Sequence, residues 1–524
     1  MNLTRRLVTS PQLCILLVVL VLYGLAFNPY VPPQNGDDIS YFYGALSIAA
    51  GEGFKEQGKW IIDWPPVQSS FVALVMRLTG IREYYIGKIF NGFAVLVSLL
   101  LAHRLMVAER RIQPTLCCIL IALFPTSLHI GSGGQADFTY FAFSMIFFLL
   151  VEKLCRERSL LLAILCGILL GIVSLTRWQG VLIGVCLLFQ SITIGLKPGR
   201  TNLLDRLKSV WQECMAAVIG GAIFIIWKQW LQVCARNGTA AASNYEYHGS
   251  AIWHVPRPIE LFVEILNLLT QLKNVIVTLV PTFSMPLLIV VWIFFGLTCW
   301  GGVLRIRKYG WLATDVFSIS MILLLASYAY KESRYAIPLA PFLLDYFFRG
   351  LLDVHSRIIE AIRSSQKLAA RQRIAFFVLW ISGLLAFDAI LLFYGDGESM
   401  GPACQFLLPN NRAYLRGYHR DLYDICKQLP KDYPNAIVAS DKFHKQLIRH
   451  YSGLESHFVG YAPDAKYSVF IQVDSACLPK RFDELTISEF DFPPKLKGRL
   501  SNPRKSGYVT LWDVDAGKFP ASSH

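Results

Sequence analysis

Charge is scarce in this chain. Asp, Glu, Lys and Arg make up 16% of it, where soluble globular domains carry about a quarter. The apolar residues come in blocks with no interleaved polar face, which excludes an ordinary water-soluble fold. Metal-type cysteine spacing is also missing. Of the 12 cysteines, many lie inside apolar runs (Cys14, Cys117, Cys118, Cys166, Cys186), and no CxxC or Cys/His pattern suggests zinc. Cys404, Cys426 and Cys477 fall in the C-terminal tail, where an oxidising compartment would let two of them pair. There is no internal repeat, no low-complexity stretch and no inverted symmetry of the transporter kind. The net charge of +14 comes without a basic face interleaved with aromatics, which excludes nucleic acid as a partner.

What the chain does contain is apolar runs of membrane-spanning length. About 20 apolar residues cross a bilayer core, and the runs from Leu13, Ser159 and Met285 have that character. Basic residues gather between runs: Arg5 and Arg6; Arg110 and Arg111; Lys153, Arg156 and Arg158; Lys197, Arg200 and Arg206; Arg305, Arg307 and Lys308; then Arg349 through Arg373. Every second loop carries the excess, as cytoplasmic loops do. With Arg5 and Arg6 inside, and no small-x-small cleavage site following, the first run reads as an uncleaved span.

The expected fold is an all-α polytopic membrane protein of about eleven spans. They fall near 12–28, 84–106, 114–131, 137–153, 159–176, 180–195, 212–232, 281–303, 311–330, 335–350 and 374–394. The segment from Pro65 is short and holds Arg77. As a span it would invert every later loop, so it reads as an interfacial or re-entrant helix. Residues 1–394 then form the membrane domain, with long outer loops at 29–83 and 234–280. Residues 395–524 change in composition. Strands from Asn435, Tyr467 and Gly507, with an amphipathic helix from Lys442, make a small C-terminal α/β domain on the outer face.

Several outer residues carry chemistry. Asp37 and Asp38 stand in "NGDDISYFYGALSIAAGEGF", just after the first span. One acid would cap the following helix; two adjacent ones leave room for a functional role. Asp63 opens "DWPPVQSS", either as a cap or as a third acid beside a base and a cation ligand. Arg177 and Arg334 close spans, where snorkelling competes with capture of a phosphate by the guanidinium fork. Asp137, in "GQADF", is another acid at an outer span end. His248 and His254 lie in "NYEYHGSAIWHVPRP", where a solvated loop histidine is the plain alternative. "GSGGQA", from Gly131, fits the loose dinucleotide fingerprint but follows no strand, so it is set aside. The sequon at Asn237 has meaning only in a eukaryote, and Asp388 within a span serves function or helix packing equally well.

In order along the chain, "DDISYFYGALSIAAGEGF", "WPP" with its short apolar helix, "LTRWQG" and "ESRYAIPLAPFLL" resemble the GT-C glycosyltransferases. These are polytopic enzymes that take a sugar from a polyprenyl phosphate. The protein O-mannosyltransferases and lipid A aminoarabinose transferases are the nearest in pattern. The resemblance implies a catalytic carboxylate at Asp37, with Asp38 in the place of a second acid that is often Glu. Some relatives bind a divalent metal ion; here that would fall on Asp63 with His248. The basic residue that follows this acid in the aminoarabinose transferases is Trp64 here, so a phosphate contact must come from elsewhere. Arg334, Arg177 and Tyr335 take the donor phosphate in this reading, and Asp137 and His254 serve the acceptor or support the site.

The expected function is inverting transfer of a monosaccharide from a polyprenyl-phosphate donor to a lipid, glycan or protein acceptor. It would occur at the outer face of a membrane, read as the bacterial inner membrane, with Asp37 as base. Oligosaccharide transfer or polymerisation is the alternative within enzymes. A flippase would place its acids nearer the bilayer midplane.

Overall fold

The computed structural model describes residues 11–27, 36–56, 58–62, 64–195, 203–237, 284–327, 333–362, 417–434, 436–440, 445–452, 454–458, 469–473, 500–506 and 509–514. Asp63, His248, His254, Asp388 and the expected span at 374–394 lie outside them. Two compact units result. The first holds Met1–Gly24, Gly44–Ile81 and Gly87–Asp388; the second holds Leu25–Tyr43, Arg82–Ile86 and Ala389–His524.

The first unit is helical. Its elements are α1 (Pro11–Ala26), the C-terminal part of α2 (Gly36–Ala50), α3 (Val67–Thr79), α4 (Tyr85–Ala108), α5 (Pro114–Leu123), α6 (Pro125–Gly131), α7 (Asp137–Glu157), α8 (Leu160–Ser174), α9 (Val181–Gly195), α10 (Leu203–Arg236), α11 (Ser284–Tyr309), α12 (Ala313–Ser327) and α13 (Ala340–Ile362). A small hairpin pairs β1 (Lys55–Glu56) with β2 (Lys59–Trp60). Among the described residues, the helices at Tyr85–Ala108, Asp137–Glu157 and Val210–Cys234 are long and apolar enough to cross a membrane; six shorter apolar helices accompany them.

Two expected spans differ from their sequence reading for local reasons. The run at 114–131 is two helices, because Phe124 before Pro125 is extended (φ −65, ψ 129); the proline ring disfavours α geometry in its predecessor. The run from Arg334 begins as a 3-10 segment, Ser333–Leu339, containing Pro338, and the α-helix that follows reaches Ile362. The segment from Pro65 is a 13-residue helix ending at Gly80 in the left-handed region (φ 74). At 1.5 Å per residue it is about 20 Å long, short of a full span.

Charge buried at the turns between helices ties the first unit together. Arg111 Nη2 meets Glu109 at 2.8 Å and Asp315 at 3.1 Å, while its Nη1 meets Asp345 at 3.1 Å. Arg305 pairs with Asp315, Arg349 with Asp345, and Tyr346 donates to Asp315. The network joins the turn after α4 to α11, α12 and α13. Asp345 also accepts from the backbone N–H of Ile112 at 2.6 Å, fixing that turn. The parallel helices α11 and α13 approach to backbone contact at Gly301 and Gly350. A Cβ on Gly301 would strike the Tyr346 carbonyl, and one on Gly350 the Leu297 carbonyl. Small residues allow this approach where apolar lipid gives helices little hydrophobic reason to associate.

The second unit contains the N-terminal part of α2, α14 (Gly417–Asp432), α15 (Lys445–Ser452) and a five-stranded sheet. The strands are β3 (Ile437–Ser440), β4 (Glu455–Phe458), β5 (Val469–Val473), β6 (Leu500–Ser506) and β7 (Val509–Val514), in the order β4-β3-β5-β7-β6. The β4-β3-β5 part is parallel and the β5-β7-β6 part antiparallel.

Removing Arg111 leaves three buried carboxylates short of a partner. Arg111→Ala is expected to cost about 3–5 kcal/mol, read as a lowered unfolding midpoint of the purified protein in detergent. Arg156→Ala removes only an exposed i,i+4 pair with Glu152 and should cost under about 1 kcal/mol.

Candidate active site

The first unit brings four of the sequence-predicted residues together. Asp137 opens α7, where a carboxylate also favours the positive end of the helix dipole. Arg177 follows α8 in extended geometry (φ −149, ψ 146) and precedes the 3-10 turn Trp178–Gly180. Its Nη2 donates to Asp137 Oδ2 at 2.6 Å, with the side chains 10% and 2% exposed. Arg334 and Tyr335 come from the 3-10 segment before α13. The Tyr335 ring lies 5.1 Å from the Arg177 guanidinium and 5.1 Å from that of Arg334. Arg334 Nη1 donates to Gln135 Oε1 at 2.7 Å, and its Nη2 to the Tyr335 hydroxyl at 3.2 Å. Two cationic forks thus share one aromatic ring, a geometry suited to an anionic oxygen group.

The loop that delivers Gln135 and Asp137 is the glycine-rich "GSGGQA". Its work is structural. Asn91 Nδ2 donates to the carbonyls of Ile130 (2.7 Å) and Gly133 (3.1 Å). Gln68 donates to the Gly134 carbonyl at 3.4 Å and accepts from Thr139 at 2.6 Å. The stretch after Trp64 reaches the same region: the Val67 N–H donates to the Leu175 carbonyl at 3.2 Å. Trp64 itself is half-buried. Beside Arg177, Trp178 packs with Phe224 and Trp227 of α10, and the Lys228 ammonium sits 4.6 Å over the Trp178 ring.

The acid pair belongs to the second unit. Asp38 is 4% exposed and accepts from the Tyr84 hydroxyl at 3.1 Å, while Asp37 is half-buried. Phe42 packs edge-on against Tyr84 with centroids 5.6 Å apart. One residue after Asp38, Ile39 is fully buried in the core of the α/β unit, among Leu422, Cys426, Val438, Ile448 and Val469. Tyr43, one turn further along α2, has its hydroxyl 3.4 Å from His450 Nδ1 on α15. The turn of helix that presents Asp37 is therefore part of the C-terminal domain's own core. Burial, with a smaller push from Lys427, lowers the His450 pKa from 6.5 to about 4.

Gln135, Tyr84 and Lys228 were not singled out from the sequence. Lys228 had a signal: a lone cation within the apolar run "AIFIIWKQWL", and such residues mark function more often than not. Gln135 and Tyr84 had none. Among the described residues, no group of three His, Cys, Asp or Glu side chains is arranged to hold a metal ion.

No family model matches the chain, and no curated protein matches it. Solved structures do. The oligosaccharyltransferase AglB from Archaeoglobus fulgidus, in complex with an inhibitory peptide and a dolichol-phosphate, superposes with a TM-score of 0.53 at 13% identity, covering 98% of this chain and 75% of that one. ArnT from Cupriavidus metallidurans, bound to undecaprenyl phosphate, gives 0.53 at 12% identity, covering 95% and 97%. The fold is that of the GT-C glycosyltransferases. A further Archaeoglobus fulgidus oligosaccharyltransferase structure, a complex with Zn and sulfate, gives 0.51 at 13% identity and covers 98% and 74%. With apolar helices of spanning length in a GT-C fold, the chain is an integral membrane protein.

The depressed His450 pKa has a stability consequence. An imidazole that stays neutral when folded but protonates near 6.5 when unfolded contributes stability that is complete above about pH 6.5. That contribution is lost as pH falls toward about 4. In the full-length protein, hydrogen exchange of the Ile437–Ser440 strand, corrected for intrinsic rates, should lose protection across this window. His450→Gln should flatten the dependence.

Proposed function

We propose that the chain is a glycosyltransferase that moves a sugar from a polyprenyl-phosphate carrier to an acceptor hydroxyl. The observation that carries this reading is the Arg177–Tyr335–Arg334 arrangement within a GT-C fold. Two guanidiniums fixed on one ring at helix ends suit a lipid phosphate better than a neutral solute. The acceptor oxygen attacks the anomeric carbon as the bond from that carbon to the phosphate oxygen breaks. The electron pair leaves with the polyprenyl phosphate. Asp37, the more exposed acid of the pair, takes the acceptor's proton. Asp38, held by Tyr84, keeps the turn of helix in place. Arg334, Arg177 and Lys228 hold the phosphate and offset the charge that grows on it. Because a phosphate is already an acidic leaving group, no general acid is assigned. Asp137 orients Arg177, and no step is assigned to a metal ion.

A monosaccharide donor is favoured because the superposition extends over nearly all of ArnT but only three quarters of AglB. Transfer of a whole oligosaccharide is the second reading, carried by the AglB match. Mass spectrometry of membrane lipids and glycans from cells with and without the gene would identify the sugar and the acceptor.

Asp37→Asn is expected to reduce transfer by about 10²–10⁴-fold, the usual worth of a general base. The variant should still bind undecaprenyl phosphate like the wild type. Arg334→Gln should weaken undecaprenyl phosphate binding by about 10–100-fold, the loss of a hydrogen bond from a charged donor. Wild-type transfer by Asp37→Asn would remove the base assignment, and unchanged lipid binding by Arg334→Gln would remove the phosphate assignment.

A further inference from the structure

A second cationic concavity of the first unit lies at the other end of its helices. α12 runs from Asp315 toward Arg334 and α13 returns from there, so Arg349 and Arg305 are separated from the Arg177–Arg334 cluster by most of a helix length. Here the parallel pair α11 and α13, in backbone contact at Gly301 and Gly350, borders an open surface depression of about 410 Å³ lined by Leu304, Arg307, Lys308, Arg349 and Asp353.

Three of these five side chains are cationic, and the one carboxylate is already engaged. Asp353 Oδ2 accepts from Trp300 Nε1 at 2.8 Å and from Arg357 Nε at 2.9 Å. Arg349 is 9% exposed and fixed from one side: its Nη2 donates to the Arg110 carbonyl at 3.3 Å and to Asp345 at 3.4 Å. Its Nε is buried and has no hydrogen-bond partner among the described residues. The Tyr309 ring carries Lys308 at 5.3 Å and Arg349 at 5.5 Å. Arg307 is exposed and has no carboxylate partner among the described residues. Among the described residues, Arg307 and Lys308 take no part in the neighbouring Arg111 network, which Arg349 joins only through its Nη2.

The surroundings are those of a membrane boundary. α11 presents Ile293 (55% exposed) and Val303 (41%) before the pocket and Tyr309 (38%) after it, and Trp311 (45%) follows in the turn to α12. Apolar residues followed by aromatic and basic ones mark the passage from acyl chain to headgroup. We infer that this pocket binds the phosphate of an acidic glycerophospholipid, with the acyl chains lying along the exposed apolar face of α11. Basic pockets between helices bind anionic headgroups in this manner. A lipid fits better than a free anion because Leu304 and the adjacent apolar face continue the pocket toward the bilayer. The inference does not rest on the proposed transfer reaction.

The test uses the full-length protein in nanodiscs and native mass spectrometry. Wild type should retain dioleoylphosphatidylglycerol over dioleoylphosphatidylcholine. The double variant Arg307→Gln with Lys308→Gln, which alters exposed side chains only, should lose about 10–30-fold of that preference, two cations' worth near a membrane surface. Arg334→Gln should keep it, separating this pocket from any polyprenyl phosphate site. Equal retention of both lipids by the wild type, or full preference in the double variant, would overturn the inference. Displacement of phosphatidylglycerol by millimolar inorganic phosphate would overturn the lipid as the occupant.

Discussion

A guanidinium can be buried in an apolar helix bundle only if something fixes and neutralises it, and the Arg177–Asp137 pair at 2.6 Å meets that requirement. Removing either partner would strand a charge at a cost of several kcal/mol. The pair therefore locks the end of α8 to the start of α7, and everything built on that junction inherits its geometry. Tyr335 packs against the fixed Arg177, Arg334 lies at the same distance from that ring, and Gln135 receives Arg334. A planar fork held on a ring loses little freedom when an anion arrives, which favours binding.

The second constraint is of a different kind. Ile39 is buried in the hydrophobic core of the C-terminal α/β unit, one residue after Asp38 and two after Asp37. The chain thus spends some of its second unit's packing on holding one turn of α2, with Tyr43 and His450 adding a polar contact. A carboxylate base needs a fixed direction toward its proton donor, and helix geometry alone does not supply it. Embedding the turn in a sheet-and-helix core does. On the proposed function, this gives the C-terminal domain a role in positioning the base.

Much of this was legible in the sequence, and the parts that were not share a cause. The helical class, the shortness of the helix from Pro65 and the interest of Arg177, Arg334 and Asp137 follow from hydropathy and from charges at the ends of apolar runs. Gln135 and Tyr84 are ordinary residues whose importance comes from what stands across from them, which no local pattern records. Arg111, Arg305 and Arg349 read from sequence as basic residues of short cytoplasmic loops. In the structure they face inward, against Glu109, Asp315 and Asp345. Loop charge counting is blind to burial, because it sees each arginine without its distant partner. The glycines of "GSGGQA", set aside as a dinucleotide fingerprint, form a turn whose carbonyls Asn91 and Gln68 hold in place.

The two ends of the bundle are built on opposite electrostatic principles, and this separates stability from chemistry. At one end, Arg111 and Arg305 close on Glu109, Asp315 and Asp345 in a buried network, with Arg349 at its edge bonded to Asp345 through Nη2. Arg111, at the centre of that network, already has its counter-charges on three sides and is closed to ligands. At the other end, the guanidiniums are ordered by an aromatic ring and neutral amide as well as by a carboxylate. Rings and amides orient a cation without themselves cancelling its charge. Arg334 and Asp345 stand eleven residues apart along the 3-10 segment and α13, about 20 Å at 1.5–2.0 Å per residue, too far for direct contact. A change at the balanced end should therefore act on how firmly the helices pack, and reach the other end only through that packing.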